Sequence, residues 1–239
     1  MDATFSIEAW AAFAPGLEDN DAWHAWARAP SLPQGDATPA LAEMPAMQRR
    51  RVERLGRAAL QVAWRCQADD GPDMPMVFAT RHGDLGKTHE MLAELAAEQP
   101  LSPTQFGLST HNAIPAQYSI ARGLIGNLVV VSAGQASAEA AVIEAQSLLA
   151  EGAPSVLVVM FDNAAHDAYA AFADEPETLY AWAWKIVPAR TGLPTLSLRH
   201  GAALPSQHGL PHGLDVLRFF LADAPALPLA GDGGWTRHA

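Results

Sequence analysis

The segment Gly83–Thr88 reads GDLGKT and lies between an apolar run and a helical pattern. That is the setting of a phosphate-binding loop. Backbone N–H groups and a helix N-terminus cradle phosphate there, and a lysine, here Lys87, reaches the terminal group. Val156–Asp162 (VLVVMFD) would supply the apolar strand that ends in a magnesium-binding acid. The loop pattern needs Gly at position 81, but Arg81 stands there and its bulk blocks the backbone from phosphate. An ordinary strand-to-helix turn is the favoured reading, and nucleotide binding is the rival.

Ser132–Ser137 (SAGQAS) joins an apolar run to an alanine-rich helical pattern. A strand, tight turn and helix in that order place one side chain at a helix N-terminus, where the dipole stabilises negative charge. The residue at this turn is Gln135, which is no nucleophile. Its amide can hydrogen-bond a carbonyl or carboxylate. The plainer reading is a helix-capping turn.

Arg49, Arg50, Arg51, Arg54 and Arg57 reverse the sign of an acidic chain. On a continuous helix, positions 50, 54 and 57 share one face. Such a face receives an acidic protein or a phosphate group, or is simply solvated and paired with nearby acids. Cys66 continues the apolar face of Val62 and Ala63 and reads as a small core residue rather than a nucleophile. The histidines form no metal constellation, because Pro211 breaks the helix that would align His208 with His212. These two, with His82 and His89, read as surface or capping residues. No metal or cofactor is expected, and no GxSxG elbow supports a serine hydrolase.

The elements that must position these residues follow from periodicity. A strand is expected over Thr4–Phe13 and a helix over Asn20–Ala29, capped by Asn20 or Asp21. Ser31–Pro45 reads as a loop, and Met47–Ala68 as one long amphipathic helix. A strand at Met76–Ala79 and a helix at Lys87–Ala97 come next. Ser102-Pro103-Thr104 opens a turn, and Thr110–Leu124 contains a helix. Asn127–Val131 and Ser155–Phe161 read as buried strands flanking a helix at Ala138–Ala150, a βαβ unit with a parallel pair. A helix near His166–Ala173, antiparallel strands at Thr178–Val187 and Thr195–Leu198, and a helix at Leu214–Leu221 complete the set. The Pro/Gly-rich tail from Pro225 is expected on the surface. The sum is an α/β fold in one layered domain, residues 1–239.

Composition sets the boundaries. The chain has 239 residues, 49% hydrophobic and 17% charged, enough to bury a sizeable core. A net charge of −11 opposes generic nucleic-acid binding. One cysteine excludes an internal disulfide and a cysteine-rich zinc module. No apolar run approaches the roughly 20 residues that span a bilayer, and Asp2 stands where a signal peptide is basic. A soluble cytoplasmic protein is expected.

Several stretches resemble the N-terminal half of β-ketoacyl synthases, the condensing enzymes of the thiolase superfamily. They are Ser102-Pro103-Thr104-Gln105-Phe106, Ser109-Thr110-His111-Asn112-Ala113 and Ser119-Ile120-Ala121-Arg122-Gly123, followed by the strand–turn–helix and the strand to Asp162. Met47–Arg51 with Leu55, Gly56 and Arg57, and Val77–Gly83 (VFATRHG), resemble the same group. The tightest resemblance, over roughly residues 4 to 236, is to short, chain-length-factor-like proteins of aryl polyene and xanthomonadin-type pigment pathways.

The resemblance implies a thiolase-like half, a βαβαβαββ-type mixed sheet with flanking helices. It sets Ala133–Ser137 on the family's T-A-C-S-S-S turn, so Gln135 takes the place of the acyl-accepting cysteine. Glutamine there is known in chain length factors and decarboxylating loading ketosynthases. The HGTGT-like and GHxxGAAG-like motifs of the family's C-terminal half do not occur here. Without nucleophile and histidine pair, condensation by this chain alone is not expected. The implied function is a non-condensing subunit working with a ketosynthase and an acyl carrier protein, or as a homo-oligomer. A malonyl-thioester decarboxylase using Gln135 is the alternative. His111, Asn112 and Ser137 become substrate-binding or interface candidates, and Arg49, Arg50, Arg54 and Arg57 carrier-docking candidates.

Overall fold

The computed structural model describes residues 3–67 and 73–238. In chain order the elements are β1 (Ala3–Phe13), α1 (Asn20–Arg28), α2 (Ala46–Arg49), α3 (Arg54–Cys66), β2 (Met76–Ala79), α4 (Leu85–Ala96), α5 (Pro103–Ser109), α6 (Ala113–Arg122), β3 (Leu128–Val131), α7 (Ser137–Ala150), β4 (Val156–Asp162), a 3₁₀ helix (Asp167–Phe172), β5 (Tyr180–Pro188), β6 (Thr195–Arg199), α8 (His212–Leu221), β7 (Ala226–Pro228) and β8 (Gly234–His238). The strands form one eight-stranded sheet in the order β3-β2-β4-β5-β1-β6-β8-β7. β3 and β4 run parallel to β2, and the remaining pairs are antiparallel. This is the expected mixed α/β fold, with more strands than the sequence suggested.

Alternation along the strands builds two cores. Val156, Val158 and Met160 of β4 and Tyr180, Trp182 and Trp184 of β5 face the layer of α1, α7 and α8. Leu157, Val159 and Phe161, with Ala181 and Ala183, face α3 and α6. A sheet covered on both faces needs apolar residues at successive positions, which is why β4 reads as a continuous run. Small residues on β5 leave room for α3 to pack closely.

Several expectations change. The long helix over Met47–Ala68 is two helices, because the chain turns at 50–53. The Arg57 guanidinium donates to the carbonyls of Val52 (3.0 Å) and Arg49 (3.3 Å). The end of that expected helix, Ala68, lies outside the described residues. α1 is capped one residue earlier than expected, by Asp19, whose carboxylate accepts from the Ala22 amide at 2.8 Å. Ser102 and Pro103 start a helix rather than only a turn, consistent with proline at a first helical position. β3 and β4 flank β2 instead of pairing with each other. The fully buried β2 takes the inner position and the half-buried β3 the sheet edge. The segment before β5 is a 3₁₀ helix. The expected surface tail forms β7 and β8, since Trp235 is buried against Trp184 and Phe219.

Candidate functional site

The turn between β3 and α7 is fastened at both ends. Ser132 Oγ lies within bonding distance of the carbonyls of Thr80 (2.8 Å) and Arg81 (2.6 Å), which ties the turn to the end of β2. Ser137 Oγ accepts from the Ala133 amide (3.0 Å) and donates to the Gly134 carbonyl (2.7 Å). Gly134 has φ +58, a left-handed conformation that suits glycine. Ser137 is therefore a buried turn lock. Gln135 is half-buried just ahead of α7, and its amide donates to the Asp174 carbonyl at 2.9 Å.

Beside the turn, Arg81 is buried and points into acids. Its guanidinium pairs with Asp174 and, at 3.0 Å, with Glu175. The side chain that argued against a phosphate loop thus anchors the segment to which Gln135 bonds. Asp162, at the end of β4, accepts from Thr80 Oγ1 (2.8 Å), the Arg81 amide (2.9 Å) and the Tyr180 hydroxyl (3.4 Å). Burial pushes its pKa up to about 7, outweighing those donors and the Arg81 charge. Burial also raises the Tyr180 phenol, with Asp162 and Glu175 adding to it, and raises Glu175 against its donors.

Behind the turn, Glu139 of α7 is buried. Its Oε1 lies 2.7 Å from His212 Nε2 and accepts the Trp235 indole N–H at 2.7 Å. The His212 amide donates to Glu175 Oε2 at 2.9 Å. Burial disfavours the imidazolium, but the Glu139 hydrogen bond and charge, with Asp215 and Glu175 nearby, outweigh it and raise the His212 pKa. His212 was expected as a surface or capping residue and is buried instead. The correction has a physical reason: an acid buried on α7 supplies the partner that a buried histidine requires.

Gln135, Asp174, Glu175, Pro176, Leu210 and His212 line a cavity of about 200 Å³. An amide and an imidazole N–H at one cavity can donate to a carbonyl and to the negative charge that develops on it. No cysteine lines it. Cys66 is buried in the core on the other face of the sheet, where burial pushes its thiol up to about 12.

The other candidates lie elsewhere. His111 and Asn112 are exposed before α6 and do not line this cavity. The arginines do not share a helix face, because Arg50 lies in the break before α3. Arg49 donates to the Leu41 carbonyl, and Arg54 to Ala37 and Gly35. Arg50 and Arg51 remain exposed. Lys87 is buried and paired with Glu53, and Asp84 caps α4 through the Lys87 amide. Among the described residues, no group of three or more His, Cys, Asp or Glu is placed to hold a metal ion, and no helix is long and apolar enough to cross a membrane.

Sequence reasoning missed the roles of Glu139, Asp174, Glu175 and His212. The signal for one was present: Glu139 interrupts the buried stripe of Ala138, Ala141, Val142 and Ala145.

A search of curated protein sequences finds no match. Among solved structures, the chain is similar to one chain of the ketosynthase ApeO in complex with its chain length factor ApeC from Xenorhabdus doucetiae. The TM-score is 0.81 at 26% identity, covering 98% of this chain and 99% of that one. It shares the fold of the ishigamide ketosynthase/chain length factor, with a TM-score of 0.62 at 17% identity, covering 82% and 66% of the two chains. It shares it also with a type II acyl-carrier protein–ketosynthase complex, AntDE:AntF, with a TM-score of 0.64 at 13% identity, covering 82% and 68%. The β-ketoacyl synthase N-terminal domain matches residues 23–235. Those residues contain both parallel pairs, the fastened turn and the Gln135 cavity, and with that match the chain belongs to the β-ketoacyl synthase N-terminal domain family.

Proposed function

We propose that this chain is a non-condensing, chain-length-factor-like subunit in polyketide or fatty-acid-type biosynthesis of the aryl polyene kind. It works in the cytoplasm with a ketosynthase and an acyl carrier protein, and residues 1–239 form its one domain. The reading is supported by Gln135 on the fastened turn before α7, the position that the resemblance aligns with the acyl-accepting cysteine of condensing enzymes. An amide cannot be acylated through a thioester, so covalent capture has no residue here. Arg50 and Arg51, the exposed members of the basic cluster, are the contacts left for an acidic carrier. The similarity to a chain of a ketosynthase–chain length factor pair supports the same assignment.

Co-expression with a condensing ketosynthase and an acylated carrier protein tests it. A stable complex is expected, with the acyl mass on the ketosynthase and none on this chain. An acyl adduct on this chain, or binding to neither protein, overturns the reading.

One observation favours a second activity at the same turn: Gln135 and His212 share a cavity. In it, the amide would hold the carbonyl of a malonyl thioester. The bond from C2 to the carboxylate breaks, CO2 leaves, the electron pair forms an enolate, and water returns a proton to C2. Unchanged CO2 release from a malonyl carrier by Gln135→Ala would eliminate this activity. Nucleotide binding at Gly83–Thr88 has less support, because Lys87 is already paired and Asp84 already caps α4.

A further inference from the structure

A second cavity, of about 190 Å³, shares Leu204, Pro205, Ser206 and His212 with the Gln135 cavity and extends along α8. Phe219, Leu227 and Pro228 give it apolar walls. α8 presents His212, Asp215 and Arg218 to it at helical spacing. Arg218 is the unusual member. Its Nε is buried without a hydrogen-bond partner, and among the described residues its guanidinium has neither hydrogen bond nor ion pair. Arg81, by contrast, is answered by two acids. Asp215, one helical turn earlier, feels the Arg218 charge but forms neither a hydrogen bond nor an ion pair with it, and its carboxyl is engaged first by Ser206 and by the nearby His212 and His208.

A buried guanidinium nitrogen without an acceptor is costly, and a carboxylate's two oxygens match the guanidinium fork. The walls around it favour hydrocarbon over a fully hydrated anion. We infer that the cleft along α8 binds a short-chain carboxylate, with its charged end on Arg218 and its chain against Phe219, Leu227 and Leu204. The two cavities share four lining residues, and taken together they are within the range of ordinary ligand pockets, which begins at about 300 Å³. The inference does not depend on what Gln135 does.

Calorimetric titration of the full chain with hexanoate, hexanamide and inorganic phosphate tests it. Hexanoate is expected to bind at one site, with hexanamide weaker by about tenfold or more, the contribution of a charge-assisted pair. Phosphate is expected not to displace it. Arg218→Gln should lose a similar factor with its circular dichroism unchanged, and Leu227→Trp should block the cleft with Arg218 intact. Equal binding of hexanoate and hexanamide, displacement by phosphate, or no hexanoate binding at about 10 mM overturns the inference. The comparison of ligands on the unaltered chain decides even if a variant fails to fold.

Discussion

Glu139 Oε1 sits 2.7 Å from His212 Nε2 and equally close to the Trp235 indole nitrogen, so one buried carboxylate oxygen joins α7, α8 and β8. Glu139→Ala strands both partners in the core. A loss of about 3–5 kcal/mol in urea unfolding is expected, the usual consequence of breaking a buried ionic pair. Glu139→Gln keeps an acceptor for the indole and should recover part of it. The His212 pKa is raised in the folded state, so this pair contributes fully below pH 6.5, the ordinary histidine value, and loses its contribution as pH rises through the raised folded value. That loss should be flattened in Glu139→Gln.

Asp162 titrates near 7 in the fold against an ordinary 3.8. Between those values the folded state holds the proton more tightly than the unfolded chain, so stability falls as pH rises from about 4 to 7. Asp162→Asn keeps an oxygen for Thr80 Oγ1 and the Arg81 amide and has no charge to bury. Its stability relative to the unaltered chain should rise across that window by an amount on the order of 4 kcal/mol. Denaturant titrations at pH 4 and pH 7.5 read the difference, and a parallel pair of curves would refute it.

Cys66 combines burial, a raised thiol pKa of about 12 and a contact with the Ala9 carbonyl at 3.4 Å. Iodoacetamide at pH 8 should leave the native protein unlabelled and label it fully in urea. Rapid native labelling would contradict the buried assignment.

Gly213, in the first turn of α8, leaves no room for a side chain, because a Cβ there would collide with the Tyr180 hydroxyl. Gly213→Ala should destabilise by about 1–3 kcal/mol, the range for an overpacked core. Adding Tyr180→Phe should return part of that loss, and a double-mutant cycle by thermal unfolding measures it.

The layered α/β fold and the positions of β1, β2, β4, β5 and β6 were legible because their apolar runs are long and bounded by turn residues. The order of β3, β2 and β4 was not, because local periodicity does not specify which parallel strand takes the centre. β8 was hidden because a single tryptophan secures it within a Gly/Pro-rich stretch. The turn bearing Gln135 was visible as a motif. Its surroundings were not, since Arg81, the Asp174-Glu175 pair and His212 come from three separate segments. Only the tertiary fold shows that Arg81 serves acids and that His212 is buried.

β1 pairs with β5 and β6 in the middle of the sheet, and Ser6 Oγ accepts from the Arg190 amide 184 residues away. During synthesis β1 therefore emerges long before the strands that flank it. At ordinary elongation rates, about 5–20 residues per second, it waits about ten to forty seconds with Phe5, Ile7 and Phe13 uncovered. The slow step of folding should be the insertion of β1 between β5 and β6, since contacts at such separation form late. Production in cells should accordingly depend on chaperone supply and growth temperature more than on native stability.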